Sequence, residues 1–168
     1  QDGRYAIAYT GEVYTYLELR GELPDYAFST KTDTEVVLAA YLKWGDACVD
    51  RFVGMFAFAI WDRQDERLFC ARDRFGVKPF YYHARSDGTL AFGSEIKTLH
   101  AAGVPRGPDI GTWRAYLATG MYDHGKTTFW QGIHALPPGH TLTWSPGAHP
   151  VIRSWYDAGQ EACAAGPD

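Results

Sequence analysis

The side chains that could carry chemistry in this chain are three cysteines and a few acids near its start. Cys48, Cys70 and Cys163 are an odd number, at spacings that match neither a disulfide framework nor a zinc site. Cys48 falls near the end of a helical region and Cys70 inside an apolar strand, where a thiol is by default an inert packing group. The acids say more. Thr32-Asp33-Thr34-Glu35 has the Ser/Thr-x-x-Glu form of a capping box, which puts Asp33 in the first turn of a helix, offsetting its dipole, and makes Glu35 a capping side chain. Thr10-Gly11-Glu12 sets a glycine beside a carboxylate where a strand gives way to a helix. Neither a GxGxxG nor a P-loop glycine pattern occurs, so a nucleotide site of those types has no support.

The elements that must position these residues follow from periodicity. Arg4 to Tyr9 reads as a strand that stops at Thr10-Gly11, and Tyr14 to Leu23 as a helix. The capped helix starts at Thr32, repeats Val36, Val37, Ala40, Tyr41 and Trp44 at helical spacing, and ends at Gly45. Met55 to Trp61 is apolar at every position, the signature of a strand whose sheet is covered on both faces. Leu68 to Ala71, Lys78 to His83 and Thr89 to Phe92 follow as antiparallel strands, and Ser94 is placed to cap a short helix through His100. Gly103 to Pro108 reads as a linker. Beyond it come a helix around Asp109 to Ala118, β-like runs at Thr141 to Trp144 and Val151 to Trp155, and an aperiodic tail from Ala158 to Asp168. The fold class is α+β, layered sheet and helix.

Composition narrows the partners. A length of 168 residues fits one domain with a real core. A net charge of −4, with the two signs mixed along the chain, argues against a nucleic-acid or anionic-membrane surface. The 46% hydrophobic content excludes a disordered chain, and no apolar stretch is long enough to cross a bilayer. The cysteine usage fits a reducing, cytoplasmic setting. The chain opens Gln1-Asp2-Gly3, without methionine and directly before a strand, so the natural start is expected upstream.

Five motifs in register carry a resemblance: Tyr9-Thr10-Gly11-Glu12-Val13-Tyr14; Thr32-Asp33-Thr34-Glu35-Val36-Val37; Gly54 to Asp62; Arg72-Asp73-Arg74-Phe75-Gly76-Val77-Lys78-Pro79-Phe80-Tyr81-Tyr82; and Phe92-Gly93-Ser94-Glu95-Ile96-Lys97. Their order is similar to that of the class II glutaminase domain of asparagine synthetases, and Leu136 to His140 and Ser154 to Asp157 resemble the segment joining it to the synthetase domain. The resemblance implies an N-terminal-nucleophile-hydrolase-like sandwich of antiparallel sheets and helices, incomplete at its N-terminus. Residues 1–103 would be part of the glutaminase domain, and 104–168 a linker and lead-in to an ATP-dependent synthetase domain. In that family a cysteine at the mature N-terminus attacks the side-chain amide of glutamine, and the ammonia released aminates an aspartyl adenylate. Here that nucleophile is absent.

By the same resemblance Gly11 would offer a backbone N–H to glutamine, where its plain reading is a turn glycine. Glu12 and Asp33 would accept hydrogen bonds from the glutamine ammonium. Thr10 stands where the family has an asparagine, and is either a weak oxyanion donor or a β-branched strand end. Arg72 and Asp73 read as a local ion pair or turn lock, and Lys78, Ser94 and Glu95 fall in motifs near the domain interface. The expected partners are glutamine and the synthetase domain, with a homodimer left open. ATP and Mg belong to that domain, and neither cofactor nor metal is expected in this chain. A relative whose glutaminase-like domain is the scaffold of a β-lactam-synthetase-like cyclase, and an amino-acid-binding or dimerisation module, are the alternatives.

Overall fold

The computed structural model describes residues 3–122 and 125–159. Gln1, Asp2, Cys163 and most of the expected tail lie outside the described residues. Strand β1 (Tyr5–Val13) leads to helices α1 (Tyr16–Gly21) and α2 (Asp33–Trp44), a 3-10 helix (Gly45–Arg51), and strands β2 (Gly54–Asp62), β3 (Arg67–Arg72), β4 (Tyr81–Ala84) and β5 (Leu90–Gly93). Helices α3 (Ile96–Ala101) and α4 (Ile110–Thr119) and strands β6 (His134–Ala135), β7 (His140–Trp144) and β8 (Val151–Ser154) complete it.

All pairings are antiparallel, and they build a five-stranded sheet in the order β1-β2-β3-β7-β8 and a three-stranded sheet in the order β5-β4-β6. The uninterrupted apolar run in β2 is explained by what covers each face. Phe56, Phe58 and Ile60 pack with Leu19, Val36, Val37 and Ala40 of the helices, while Ala57 and Ala59 face Phe80, Tyr82 and Leu136 on the side of the second sheet. The alternation repeats in the second sheet: Tyr82 and Phe92 face inward, and Tyr81 and Ala91 pack outward with Leu99 of α3. The order of layers is therefore helix, sheet, sheet, helix.

Helix α2 begins where its capping residues put it, with the Thr32 hydroxyl accepting from the Glu35 N–H at 3.4 Å, and ends at Gly45 with φ 60°. The Glu35 carboxylate does not fold back on Thr32. It accepts from the Ser29 and Thr30 N–H groups at 2.7 and 2.5 Å, clasping the loop ahead of the helix.

Three expectations differ from the structure. Strand β1 runs on through Thr10 and Gly11 to Val13, so Gly11 is a mid-strand residue opposite Phe56, not a turn, and Thr10 is not a strand end. Ser94 does not cap α3, whose N-cap is Glu95 without a side-chain bond. The segment beyond 103, expected as linker and lead-in, supplies β6, β7 and β8, which join both sheets.

Candidate functional site

Strand β1 lies at the edge of its sheet, and the residues of interest gather where that edge meets α2. A cavity of about 350 Å³ is lined by Gly11 and Glu12 of β1, Tyr16 of α1, and Lys31, Thr32 and Asp33 at the start of α2. Two acids twenty-one positions apart in sequence thus face one hollow: Glu12 is exposed and Asp33 half-buried.

Asp33 is held from one side only. The Tyr9 hydroxyl and the Val13 N–H, the latter at 3.1 Å, both donate to Asp33 Oδ2. Among the described residues Oδ1 takes no hydrogen bond, which leaves an acceptor for a ligand. Burial first, and then the bond to Asp33, push the Tyr9 phenol well above its ordinary value, so it stays a protonated donor.

Position 11 requires a glycine. Its φ is +133°, and a Cβ there would lie 2.1 Å from the Met55 carbonyl oxygen. The ladder then fixes where its N–H points. Phe56 uses both of its backbone groups on Asp73, accepting from its N–H at 2.8 Å and donating to its carboxylate at 3.3 Å, on the side away from β1. Gly11 and Phe56 are therefore a non-hydrogen-bonded pair, and alternation directs the Gly11 N–H to the free edge of the sheet. The Val13 N–H, two residues on, reaches Asp33 in the same sense.

Thr10 is not part of this hollow. It lines a second cavity of about 260 Å³ between the two sheets, with Ala57, Phe80, Ser94 and Thr98 among its walls. Tyr9, Tyr16, Lys31 and Thr32 line or brace the site without having been expected there. A strand tyrosine reads as core, and only its position two residues before Gly11 hints at more.

Arg72 and Asp73 lock the turn through backbone groups. Arg72 donates to the carbonyls of Lys78, Leu136 and Gly76 at 2.6–2.7 Å. Asp73, 1% exposed, accepts from the N–H groups of Phe56, Phe75, Val77 and Lys78. Cys48 and Cys70 are fully buried, and burial pushes both thiols well above the usual range.

This layered sandwich is the fold of the N-terminal-nucleophile glutamine amidotransferases. It matches glutamine phosphoribosylpyrophosphate amidotransferase from B. subtilis with a TM-score of 0.65 at 17% identity, over 93% of this chain and 30% of that one. The sequence matches the family model described as "Glutamine amidotransferase domain" over residues 1–156, and the chain belongs to that family. It is 38% identical over 159 residues to asparagine synthetase [glutamine-hydrolyzing] 3 of Bacillus subtilis (90% of this chain, 25% of the relative). It is 36% identical over 149 residues to asparagine synthetase [glutamine-hydrolyzing] 2 of the same organism (84% and 20%). The chain thus spans about a quarter or less of the length of these curated relatives. Among the described residues no helix is long and apolar enough to cross a membrane.

Proposed function

We propose that the cavity at the free edge of β1 receives the amino-acid end of glutamine. In the intact protein the domain would release ammonia from the side-chain amide for ATP-dependent amidation of aspartate in a further domain. The observation that carries this reading is the convergence of Glu12, Asp33 and the outward N–H of Gly11 on one hollow. Two carboxylates suit an ammonium, since charge-assisted hydrogen bonds are short and directional. The edge-facing N–H of a glycine that lines the hollow suits a carbonyl oxygen or developing oxyanion. The names of the relatives, glutamine-hydrolysing asparagine synthetases, agree with it.

Burial makes the thiols of Cys48 and Cys70 unsuited to serve as nucleophile, and in this reading the nucleophile comes from outside the described residues. In this reading ATP and Mg are used in the synthetase domain, and no step here runs through them. Calorimetric titration of L-glutamine into the chain tests the proposal. Heat of binding is expected without release of ammonia, and affinity should fall about 100-fold, or about 2.8 kcal/mol, when Glu12→Gln and Asp33→Asn are combined. Absence of binding by the unaltered chain sinks the reading.

A further inference from the structure

In the sequence Tyr9 ends the strand-like run that starts at Arg4 and opens the motif that contains Gly11 and Glu12, and its hydroxyl is one of two groups that fix a carboxylate at the edge of the cavity. Resting on the glutamine reading, we propose that Tyr9 is a positioning residue. By holding Asp33 Oδ2 together with the Val13 N–H, it turns Asp33 Oδ1 toward the ligand's ammonium and so sets the preference for ligands that carry an α-amino group.

The geometry gives three reasons. Both donors fall on the same oxygen of Asp33, which fixes the carboxylate's orientation and leaves the other oxygen without a protein partner among the described residues. The carboxylate has somewhere else to go: Asp33 is the first residue of α2, and the Thr32 hydroxyl takes only the Glu35 N–H of the first turn, so another first-turn N–H can donate to a short acid there. Tyr9 and Val13 hold it out of that alternative. Finally, the Tyr9 ring packs against the core beneath the helix layer, so the hydroxyl arrives on a side chain with little freedom of its own. Its sustained protonation, described above, keeps it a donor.

A structural tyrosine and a positioning tyrosine differ in what they do to two ligands. L-glutamine and 4-carbamoylbutanoate, which is glutamine without its α-amino group, are titrated into the full chain carrying Tyr9→Phe, Asp33→Asn, or both. Tyr9→Phe is expected to weaken glutamine about tenfold and leave 4-carbamoylbutanoate unchanged, and to add nothing once Asp33 is already Asn. Equal weakening of both ligands, or a further loss in the Asp33→Asn background, would show that Tyr9 acts through the fold and would overturn the proposal. Unchanged glutamine affinity in Tyr9→Phe overturns it while leaving the glutamine reading intact; no glutamine binding by the unaltered chain overturns both. Asp33→Glu gives a second test that does not depend on the folding of Tyr9→Phe. It keeps the charge but moves the carboxylate past its two donors, and should lose about the same factor. Full affinity in Asp33→Glu would mean that charge alone suffices, and the positioning role falls.

Discussion

Asp33 and Asp73 are the same residue in two different states of commitment. Asp73 is buried and receives four backbone N–H groups from Phe56, Phe75, Val77 and Lys78, on both of its oxygens. Asp33 is half-buried, receives two donors on one oxygen and none on the other among the described residues, and lines a cavity. A carboxylate whose lone pairs are all in use is a piece of scaffold. One that is held but not saturated can bind something, because its orientation is already set before the ligand arrives.

The largest expected effect breaks the scaffold side of that comparison. Asp73→Ala leaves four donors without an acceptor around a buried position, and should destabilise the fold by about 3 kcal/mol. Asp33→Ala should stay within about 1 kcal/mol. Urea denaturation of both variants decides it, and equal losses would erase the distinction.

Acid sharpens it next. Asp62 is a third carboxylate of the saturated kind. It is gripped by Arg4 at 2.8 and 2.6 Å and by the Gln64 and Asp65 N–H groups, chiefly the Arg4 bond holding it well below the ordinary carboxylate range. Because the folded value is lower than the unfolded one, its stabilisation is present above about pH 4. It is lost as pH falls through that value toward the folded one. Thermal midpoints should hold steady from neutral pH to about pH 5 and drop below about pH 4, and Asp62→Asn should flatten that drop. A drop of the same steepness in the variant would remove Asp62 from the account.

The smallest effect concerns the boundary of the site. Thr10 opens into the cavity between the sheets, so Thr10→Ala should change glutamine affinity by no more than about twofold, or ~0.5 kcal/mol. A tenfold loss by calorimetry would join the two cavities into one site.

Much of this was legible in the sequence where the signal is local. The capping residues placed the start of α2 to the residue, and the unbroken apolar run of β2 announced a sheet covered on both sides, because each face of that strand is buried against a different layer. The pair Glu12 and Asp33 came from a resemblance in motif order, not from spacing, since nothing local connects a strand residue to a helix start so far along the chain. What was missed depends on distant partners. Gly11 looked like a turn because a glycine is as suited to a turn as to a strand that needs room for a neighbour's carbonyl, and only Met55 across the ladder decides between them. The runs that became β7 and β8 were read as β-like, but two-residue β6 was not, and the pairing of β7 with β3 and of β6 with β4 rests on partners that the local pattern of 104–154 does not encode. Tyr9 escaped notice because its hydroxyl's partner is twenty-four residues away.

The grip of Asp73 on both backbone groups of Phe56 reaches further than the turn it closes. It pins the phase of β2 and thereby decides which atoms of β1 look outward. Were β1 to slide by a single residue against β2, every alternate group would change sides: Gly11 would turn its N–H into the sheet, and the ring of Tyr9 would leave the helix layer. A residue outside the hollow thus acts as its register key, and the shape offered to a ligand is inherited from a knot on the far side of the neighbouring strand.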